Sequence, residues 1–315
     1  MDKQFIKQIT SYINSNKTNN SINIGYGIDN NYARCTATSI FSFCHNNQHL
    51  SFDFHIMTND LNDNSKKRFN LLAQKLKTNI IIYEIDATLL KILPTQVHLP
   101  ISTYFRFLLP LVLKNVSTLY YIDADIICLK NANELFSINL ENNIVAAVPD
   151  LPIMNTKRNK ALNLVEHLYF NAGMLVINIE KWLEFDTFNK VLNAIKQDPQ
   201  KFRYLDQDAL NLILHGKILY LSSKFNNLTP NYQDTVLLHF AAHPKPWNIA
   251  FPLSKACTEF NKNIYIHYEN QTPWKDTPLE QPKNYKEMKI YAKILLKNKY
   301  YVTGLHWYLK YLFNK

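Results

Sequence analysis

Two carboxylates that follow an apolar run are the residues best suited to chemistry. Asp123 and Asp125 come directly after Thr118–Ile122 (TLYYI), a run that predicts a buried strand. Carboxylates at i and i+2 alternate across a strand, but they converge on one ion where the strand ends and the backbone turns. Such oxygen ligands suit Mg²⁺ or Mn²⁺, and open α/β sheets bind ligands at the carboxyl ends of their strands. The alternative is a solvated turn, because Asp-x-Asp is common by itself.

A histidine and a lysine form a second candidate cluster. Residues 239–247 read HFAAHPKPW and follow a short apolar run at 236–238. The imidazole of His239 is able to complete a divalent-cation site, and Lys245, fixed between two prolines, is able to neutralise a phosphate. Each residue also has an ordinary interpretation, as a core histidine and as an exposed lysine.

Three shorter motifs bring polar groups to the ends of predicted elements. Residues 169–173 (YFNAG) enter a strand, where small residues permit close backbone approach; the alternative is an ordinary turn with the glycine at positive φ. Residues 205–208 (LDQD) open a helix, for which Asp206 is an N-cap candidate. Residues 29–32 (DNNY) follow the first predicted strand and either read a base edge with a stacked tyrosine or form an Asx turn.

The elements between these motifs alternate between strand and helix. Alternating or β-branched runs predict strands at 21–27, 50–57, 79–85, 118–122, 144–148, 174–179, 217–221 and 235–239. Apolar spacing predicts helices at 32–46, 59–77, 102–113 (interrupted at Pro110), 181–196, 206–215 and 285–298. The first 20 residues, polar and Asn-rich, are expected to form a short helix or a frayed lead-in, and the stretch after Pro244 to form loop. This alternation predicts a parallel α/β sheet with right-handed crossovers.

Composition limits the class of protein. The 315 residues are 47% hydrophobic and 19% charged, which is typical of a globular chain and excludes a disordered one. With only 5 glycines, a phosphate loop built on several glycines is nearly excluded. Four scattered cysteines without a CxxC pair predict reduced thiols in the cytosol. No apolar run reaches the roughly 18 uncharged residues of a membrane span.

The net charge of +10 is concentrated near the end of the chain. Residues 281–315 hold eight lysines against one acid, Glu287, and therefore contribute +7. The last predicted helix has a basic face and an apolar face: Lys286, Lys289, Lys293 and Lys297 opposite Met288, Tyr291, Ile294 and Leu295. We expect residues 285–315, which are also rich in aromatic rings, to bind an anionic membrane surface. The alternative is a helix docked on the main domain with a solvated lysine face.

Taken in order, the motifs resemble those of one family, glycosyltransferase family 8. That family has D-x-N-Y after a strand, then S/T-T-Y-x-R, Y-L/I-D-x-D, Y-F-N-A/S-G, D-Q-D and H-x-x-G-x-x-K-P-W. The matching segments are residues 29–32, 102–106, 121–125, 169–173, 206–208 and 239–247. Residues 273–276 (PWKD) and the basic aromatic tail look like those of the branch that adds glucose or galactose to the lipopolysaccharide core.

The resemblance implies a fold and a set of site residues. It implies a GT-A-like α/β sheet that binds a nucleotide-sugar, with flanking helices, in residues 1–250, and a small helical, basic and aromatic region in residues 251–315. The implied ligands of Mn²⁺ or Mg²⁺ are Asp123, Asp125 and His239. The positions implied to bind the UDP-sugar are Gly27, Ile28, Asp29, Asn31, Tyr32, Arg106, Asp123, Ala124, Asn171, Ala172, Ala242 and Lys245. The implied catalytic positions are Gln207, Asp206 and Asp150, of which Asp150 is near the acceptor.

One position departs from the family pattern. The family has glycine three residues after the histidine, where this chain has Ala242. If that amide approaches a phosphate at positive φ, an alanine there costs about 1 kcal/mol.

These implications together define an expected activity. We expect a metal-dependent, retaining glycosyltransferase that moves glucose or galactose from a UDP-sugar to a hydroxyl of the lipopolysaccharide core. The acceptor is expected to attack the face that UDP leaves, with Gln207 stabilising the cation. The enzyme is expected in the cytoplasm, peripherally on the inner face of the bacterial cytoplasmic membrane.

Two alternatives of other kinds stay open at this point. A glycogenin-like self-glucosylating protein needs an acceptor tyrosine near the site. A nucleic-acid-binding protein would use the basic aromatic tail, but it leaves Asp123 and Asp125 without a role. No nucleic-acid partner is therefore expected.

Overall fold

The computed structural model describes residues 5–13, 21–96, 100–164, 168–229, 233–253 and 257–315. The chain divides into two compact units, Met1–His239 and Phe240–Lys315. The sequence analysis predicts a domain boundary after residue 250. Whether the two parts on either side of it fold independently stays a prediction.

Strands and helices of the first unit alternate through most of its described residues. The strands are β1 Ile6–Tyr12, β2 Ile22–Ile28, β3 Phe52–Thr58, β4 Asn79–Ile85, β5 Thr118–Ile122, β6 Ile126–Cys128, β7 Val145–Pro149, β8 Phe170–Asn178, β9 Ile218–Tyr220 and β10 Leu237–His239. The helices are α1 Ala33–Asn46, α2 Asp63–Leu76, α3 Leu109–Val112, α4 Asn133–Phe136, α5 Pro152–Leu162, α6 Ile179–Glu184, α7 Thr187–Gln197 and α8 Leu205–Ile213.

Among the described residues, eight of these strands form one mixed sheet in the order β1-β4-β3-β2-β5-β8-β7-β9. Strands β4, β3, β2 and β5 are parallel neighbours, whereas β1 runs antiparallel to β4 and β8 runs antiparallel between β5 and β7. The predicted α/β class is confirmed. The prediction of a parallel sheet is correct for β2 to β5 and wrong for β1 and β8.

The N-terminal segment is the largest error in the predicted elements. Ile6–Tyr12 is an edge strand, not a helix or a frayed lead-in. All seven of its residues are exposed or partly exposed, so the strand lacks the apolar alternation that a half-buried strand shows.

Two predicted helices are interrupted in the structure. Residues 102–113 form a 3-10 stretch, Ile101–Phe107, followed by α3, which has a proline in its first turn. Residues 181–196 are split between α6 and α7, because Asp186 adopts a left-handed backbone with φ of 54°. Strand β6 and helix α5 were not predicted, since neither has a clear apolar period.

The second unit confirms the helix predicted at 285–298, has a helix at 259–269 where the sequence predicted loop, and adds a further helix near the end of the chain. Its helices are α9 Glu259–Glu269, α10 Tyr285–Lys297 and α11 Tyr301–Phe313. Helix α9 begins at a capping box, in which the side chain of Thr258 accepts from the amide of Asn261 and the side chain of Asn261 accepts from the amide of Thr258. Most capping boxes have Glu or Gln where this chain has Asn261. Helices α10 and α11 pack around Ala292, Leu295 and Trp307. In the part of the chain that the structure describes, no helix has the length and apolar character needed to cross a bilayer.

The sheet brings several loops to one edge. The carboxyl ends of β2, β5 and β7 meet there, together with the amino end of the antiparallel β8. A separate two-stranded sheet of β6 and β10 pairs His239 with Ile126, immediately after the turn that contains Asp123 and Asp125. The path of the chain therefore brings the candidate residues to the same edge of the sheet.

We predict that Gly27→Ala destabilises the protein. A methyl group at Gly27, near the end of β2, would lie 2.8 Å from Phe105 Cβ and 3.0 Å from the carbonyl oxygen of Ser102. Relief requires backbone movement, so the free energy of unfolding should fall by about 1–3 kcal/mol in denaturant titrations. Gly216→Ala serves for comparison: a methyl group there meets no atom within 4 Å, so the strain of its left-handed φ of 74°, about 1 kcal/mol, is its only cost, and Gly27→Ala should be destabilised more. A Gly27→Ala variant as stable as the wild type would contradict this account of the packing.

Candidate active site

Three candidate ligands converge beyond the end of β5. Asp123, Asp125 and His239 each offer one ligand atom, and these atoms all lie within 4.8 Å of one another. Asp125 and His239 are buried, and His239 Nε2 lies 3.3 Å from Asp125 Oδ1. Two carboxylates and one imidazole suit Mn²⁺, which accepts both oxygen and nitrogen ligands, and a cation would relieve the repulsion between the two carboxylates. The residues present therefore fit a divalent cation.

Asp123 is oriented by its neighbours. Its Oδ1 accepts hydrogen bonds from Arg106 Nη2 at 2.9 Å and from Tyr121 Oη at 3.1 Å. Its Oδ2 lies on the side of Gly173, where a methyl group would come within 2.9 Å of it and within 2.5 Å of His239 Cε1. One carboxylate oxygen is therefore used for positioning and the other faces the candidate site.

Gly173 is required for space and not for a special backbone angle. Among the described glycines, Gly216 is the one with positive φ, so the alternative of a turn with Gly173 at positive φ is wrong. Gly173 lies in β8 where the ladder to β7 shifts register, between the pairs Ala147–Leu175 and Val148–Asn171. Such irregularities bend a strand and are common beside active sites.

Arg106 is a buried cation that joins three segments. Its Nη1 donates to the carbonyl oxygen of Ala172, its Nε donates to the carbonyl oxygen of Thr103, and its guanidinium pairs with Asp123 and Asp206. Burial opposes the charge, but the two carboxylates outweigh this effect and raise the pKa of Arg106. The contacts described here are with the protein itself, so the expected contact of Arg106 with the donor stays a prediction.

Asp206 is held at the start of α8 but is not its N-cap. The N-cap is Tyr204, and Leu205 follows it with a left-handed φ of 42°, a strained value for leucine. Asp206 is 3% exposed and lies 3.0 Å, through Oδ2, from Arg106 Nε. Burial, only partly offset by Arg106, raises its pKa to about 7.

Gln207 and Asp150 are in direct contact. Gln207 Nε2 donates to Asp150 Oδ2 at 2.9 Å and to Tyr169 Oη at 3.1 Å, while Gln207 Oε1 accepts from the amide of Ala172. Asn171 Nδ2 donates to the same Asp150 oxygen at 3.3 Å. The structure thus brings Gln207, Asp150 and Asn171, three of the predicted site residues, into one hydrogen-bonded group.

Asp208, the last residue of the LDQD motif, has a structural role. It is fully buried and accepts two hydrogen bonds from the guanidinium of Arg158, at 2.9 and 2.7 Å, and one from Tyr169 Oη at 2.7 Å. This arrangement fixes the first turn of α8, to which Gln207 belongs. Arg158 was not predicted, because α5 gave no recognisable sequence signal.

The segment after β2 forms the Asx turn that the sequence allowed. Asp29 Oδ1 accepts from the amides of Asn31 and Tyr32, while Asn31 itself is exposed. Burial, together with the nearby Asp60, raises the pKa of Asp29. Burial also raises the pKa of Tyr32, and the carboxylate of Asp125 adds to this effect. Base recognition by this segment stays a prediction.

Two other predicted donor positions have buried side chains. Ile28 is 1% exposed and Ala124 is 6% exposed, so any contact with a donor would come mainly from their backbone groups.

Ala242 and Lys245 belong to the second unit. Lys245 is buried, which contradicts its interpretation as an exposed lysine, and its Nζ donates to the carbonyl oxygens of Phe240 and Ala241. Ala242 does not have a positive φ, so the cost expected for alanine there does not arise.

Asn226 is the functional candidate that the sequence analysis missed. Its Oδ1 lies 2.8 Å from His239 Nδ1, and its Nδ2 donates to Asn171 Oδ1 at 2.8 Å. The residue lies in an irregular polar segment, and its importance comes from contacts with residues distant in sequence. We find no signal in the sequence alone that would have identified it.

Comparison with known proteins identifies the family. The model of "Glycosyl transferase family 8" matches residues 23–250, and that of "Glycosyl transferase family 8 C-terminal" matches residues 261–315. The chain belongs to glycosyltransferase family 8. Among family 8 relatives, a lipopolysaccharide 1,3-galactosyltransferase of Salmonella typhimurium is 30% identical over 338 residues, which cover 100% of this chain and 97% of that protein. A lipopolysaccharide 1,2-glucosyltransferase of Escherichia coli is 31% identical, covering 92% of this chain and 90% of that protein.

Solved structures agree on the fold. The galactosyltransferase LgtC, solved with donor and acceptor sugar analogs, aligns with a TM-score of 0.70 at 22% identity, covering 80% of this chain and 96% of that one. The family 8 chain described here therefore has the GT-A fold expected from its motifs.

We predict a pH-dependent contribution of Asp206 to stability. Its pKa is about 7 in the folded protein against an ordinary value of 3.8, so the folded state favours the protonated form. Between about pH 4 and about pH 7 the folded state binds more protons than the unfolded state, and stability falls as pH rises. In Asp206→Asn this loss should disappear, so its stability relative to wild type should increase with pH across that window.

Denaturant titrations at several pH values test this. Asp198→Asn, at an exposed aspartate, is the matched control and should follow the wild-type profile. A difference between Asp206→Asn and wild type that is constant over the window would show that Asp206 does not titrate there.

Proposed function

We propose that this chain is a metal-dependent, retaining hexosyltransferase that moves glucose or galactose from a UDP-sugar to a hydroxyl of the lipopolysaccharide core. The observation that carries the proposal is the convergence of Asp123, Asp125 and His239 at the carboxyl end of β5 in a family 8 chain. The relatives described as lipopolysaccharide galactosyl- and glucosyltransferases support this donor and acceptor class, because they match nearly the full length of the chain.

Asp123, Asp125 and His239 would hold Mn²⁺ or Mg²⁺, which when bound offsets the negative charge that develops on the departing diphosphate. Asp123 is already oriented for this role, because Arg106 and Tyr121 occupy its other oxygen. In this proposal Asp29, Asn31 and Tyr32 bind the uridine. Lys245 and the amide of Ala242 contact the diphosphate.

Gln207 and Asp150 are proposed to act at the sugar. Retention requires the acceptor oxygen to bond to the anomeric carbon on the face from which the diphosphate oxygen departs. An amide is a poor nucleophile, which favours this front-face reaction with Gln207 supporting the positive charge on the sugar. The contacts of Gln207 with Ala172, Asp150 and Tyr169 restrict its rotation, so its carbonyl oxygen is held in one direction before substrate arrives.

We predict that Asp125→Asn abolishes transfer while leaving the fold intact. Loss of one charged ligand should reduce release of UDP from UDP-glucose or UDP-galactose by at least about a hundredfold, comparable to other electrostatic groups at reacting centres. EDTA should abolish the activity of the wild type, and Mn²⁺ or Mg²⁺ should restore it. Asp63→Asn, at an aspartate whose side chain is 92% exposed, is the control and should behave as wild type. Full activity of the wild type in EDTA would contradict the proposal.

We further propose that residues 285–315 bind the anionic inner surface of the bacterial cytoplasmic membrane, close to a lipid-linked acceptor. Of the four lysines of the predicted basic face, Lys286, Lys293 and Lys297 on α10 are exposed, whereas Lys289 is partly buried, with its Nζ 5.1 Å from the centre of the Tyr311 ring. Helix α11, whose extent was not predicted, adds exposed apolar side chains, among which Val302 is 86% and Phe313 is 87% exposed. Trp307 and Tyr311 are buried within the helical pair and are not available to lipid.

Exposed apolar side chains beside lysines are typical of helices that lie in a membrane interface. The apolar residues of α11 recur at helical spacing: Tyr301, Val302, Leu305, Leu309, Leu312 and Phe313. The lysines would bind lipid phosphates while this face enters the headgroup region.

We predict that the triple variant Lys286→Gln, Lys293→Gln and Lys297→Gln loses binding to anionic vesicles. Each lysine near an anionic leaflet contributes about 1 kcal/mol, so the partition coefficient should fall roughly a hundredfold at low salt. Three exposed lysines of the first unit provide the matched control: Lys67→Gln, Lys91→Gln and Lys114→Gln. Equal sedimentation of both triple variants with anionic vesicles would show that the basic face does not contact lipid.

A further inference from the structure

Asn226 lies beside the proposed metal site, outside all of the sequence motifs. It follows the 3-10 turn Ser223–Phe225, and it is 2% exposed. On one side its amide contacts the ring of His239, and on the other side it contacts Asn171. A single buried side chain thus bridges a candidate metal ligand and a candidate donor-sugar residue.

A backbone amide determines which atoms donate in this arrangement. The N–H of Gly173 can only donate, and it bonds to the side chain of Asn171 at 3.0 Å, so the Asn171 atom there is Oδ1. The same oxygen accepts from Asn226, which must therefore present Nδ2 to it. The remaining amide atom of Asn226, Oδ1, faces His239 at 2.8 Å.

The orientation of Asn226 determines the tautomer of His239. An amide oxygen only accepts, so Nδ1 of the imidazole carries the hydrogen, and in the neutral ring Nε2 keeps its lone pair. Nε2 is the ring atom that lies 3.3 Å from Asp125 Oδ1, on the side of the candidate cation. The ring therefore presents a ligand atom, not a donor, to the two carboxylates.

We propose that Asn226 is a positioning residue that holds His239 in the tautomer and ring orientation needed to bind a divalent cation. This rests on the proposed function in one respect, namely that Asp123, Asp125 and His239 bind the cation. Partners of this kind on a ligating histidine raise metal affinity by roughly 10–100-fold.

The hydrogen bonds continue beyond Asn226 toward the sugar-binding residues. His239 donates to Asn226, Asn226 donates to Asn171, and Asn171 donates to Asp150 Oδ2, so three successive donors point the same way. The line ends on a carboxylate that Gln207 also contacts. Aligned hydrogen bonds polarise one another, so the negative charge of Asp150 increases the electron density at His239 Nε2. Asn226 thereby couples the cation ligand to the sugar side of the site.

Two substitutions separate the contacts of Asn226. Asn226→Ala removes both, whereas Asn226→Asp keeps an oxygen to accept from His239 Nδ1 but cannot donate to Asn171. Asn227→Ala is the matched control, because Asn227 is 5% exposed and its side chain bonds to Thr235 and Thr229. Asn226→Ser replaces the alanine variant if that variant does not fold.

The first readout is the ¹⁵N NMR signature of the neutral His239 ring in metal-free protein, recorded above the pH at which the imidazolium loses its proton and assigned by its loss in His239→Gln. Wild type, Asn226→Asp and Asn227→Ala should show one tautomer with the hydrogen on Nδ1, and Asn226→Ala should show a mixture. The second readout is the Mn²⁺ dissociation constant, from the EPR signal of free Mn²⁺. Asn226→Ala should weaken binding about 10–100-fold, and Asn226→Asp, which keeps an acceptor on Nδ1 and places its own negative charge there, should bind Mn²⁺ more tightly than Asn226→Ala.

The proposal is overturned if Asn226→Ala keeps the wild-type tautomer, or if Asn226→Asp loses as much Mn²⁺ affinity as Asn226→Ala. A purely structural role would lower the stability of these variants without changing the tautomer of the folded protein. If the wild type binds no Mn²⁺, the proposed cation site fails, whereas the NMR signature still decides whether Asn226 determines the tautomer of His239.

Discussion

The buried guanidinium of Arg106 is the contact on which the rest of the site depends. A buried cation must be neutralised and hydrogen-bonded, or it costs several kcal/mol. Arg106 meets this requirement chiefly with Asp123 after β5 and the carbonyl oxygen of Ala172 in β8, and its Nε lies 3.0 Å from Asp206 at the start of α8. The need to satisfy one charge therefore joins three segments distant in sequence. It also fixes which oxygen of Asp123 is left for a cation.

Hydrogen bonds extend this order from the candidate cation ligands to the candidate sugar-binding residues. Asn226 joins His239 to Asn171, and Asp150 joins Asn171 to Gln207, so the side chains have few alternative rotamers without an unsatisfied buried polar group. A site arranged in this way before substrate arrives avoids part of the entropic cost of organising a reaction. The strained backbone of Leu205, directly before Asp206, is consistent with a functional constraint on the first turn of α8.

The sequence predicted those features that have a local pattern. The run Thr118–Ile122 predicted β5 with its observed bounds, and the two carboxylates after it lie with His239 as expected. Strand β1 was missed because an exposed edge strand shows little apolar alternation. Strand β8 was predicted, but its antiparallel direction was not, because strand direction depends on the path of the whole chain. The sequence could not predict the role of Asn226, because that role depends on tertiary contacts with His239 and Asn171, which are distant in the sequence.

The central claim is that one divalent cation binds between Asp123, Asp125 and His239. Anomalous diffraction from a crystal grown with Mn²⁺ and UDP, recorded on both sides of the manganese absorption edge, tests this most directly. The account predicts one manganese peak within bonding distance, about 2.0–2.4 Å, of Asp123 Oδ2, an Asp125 carboxylate oxygen and His239 Nε2. A peak that lacks His239 Nε2 among its ligands, or a nucleotide bound without any manganese at this edge of the sheet, would contradict it.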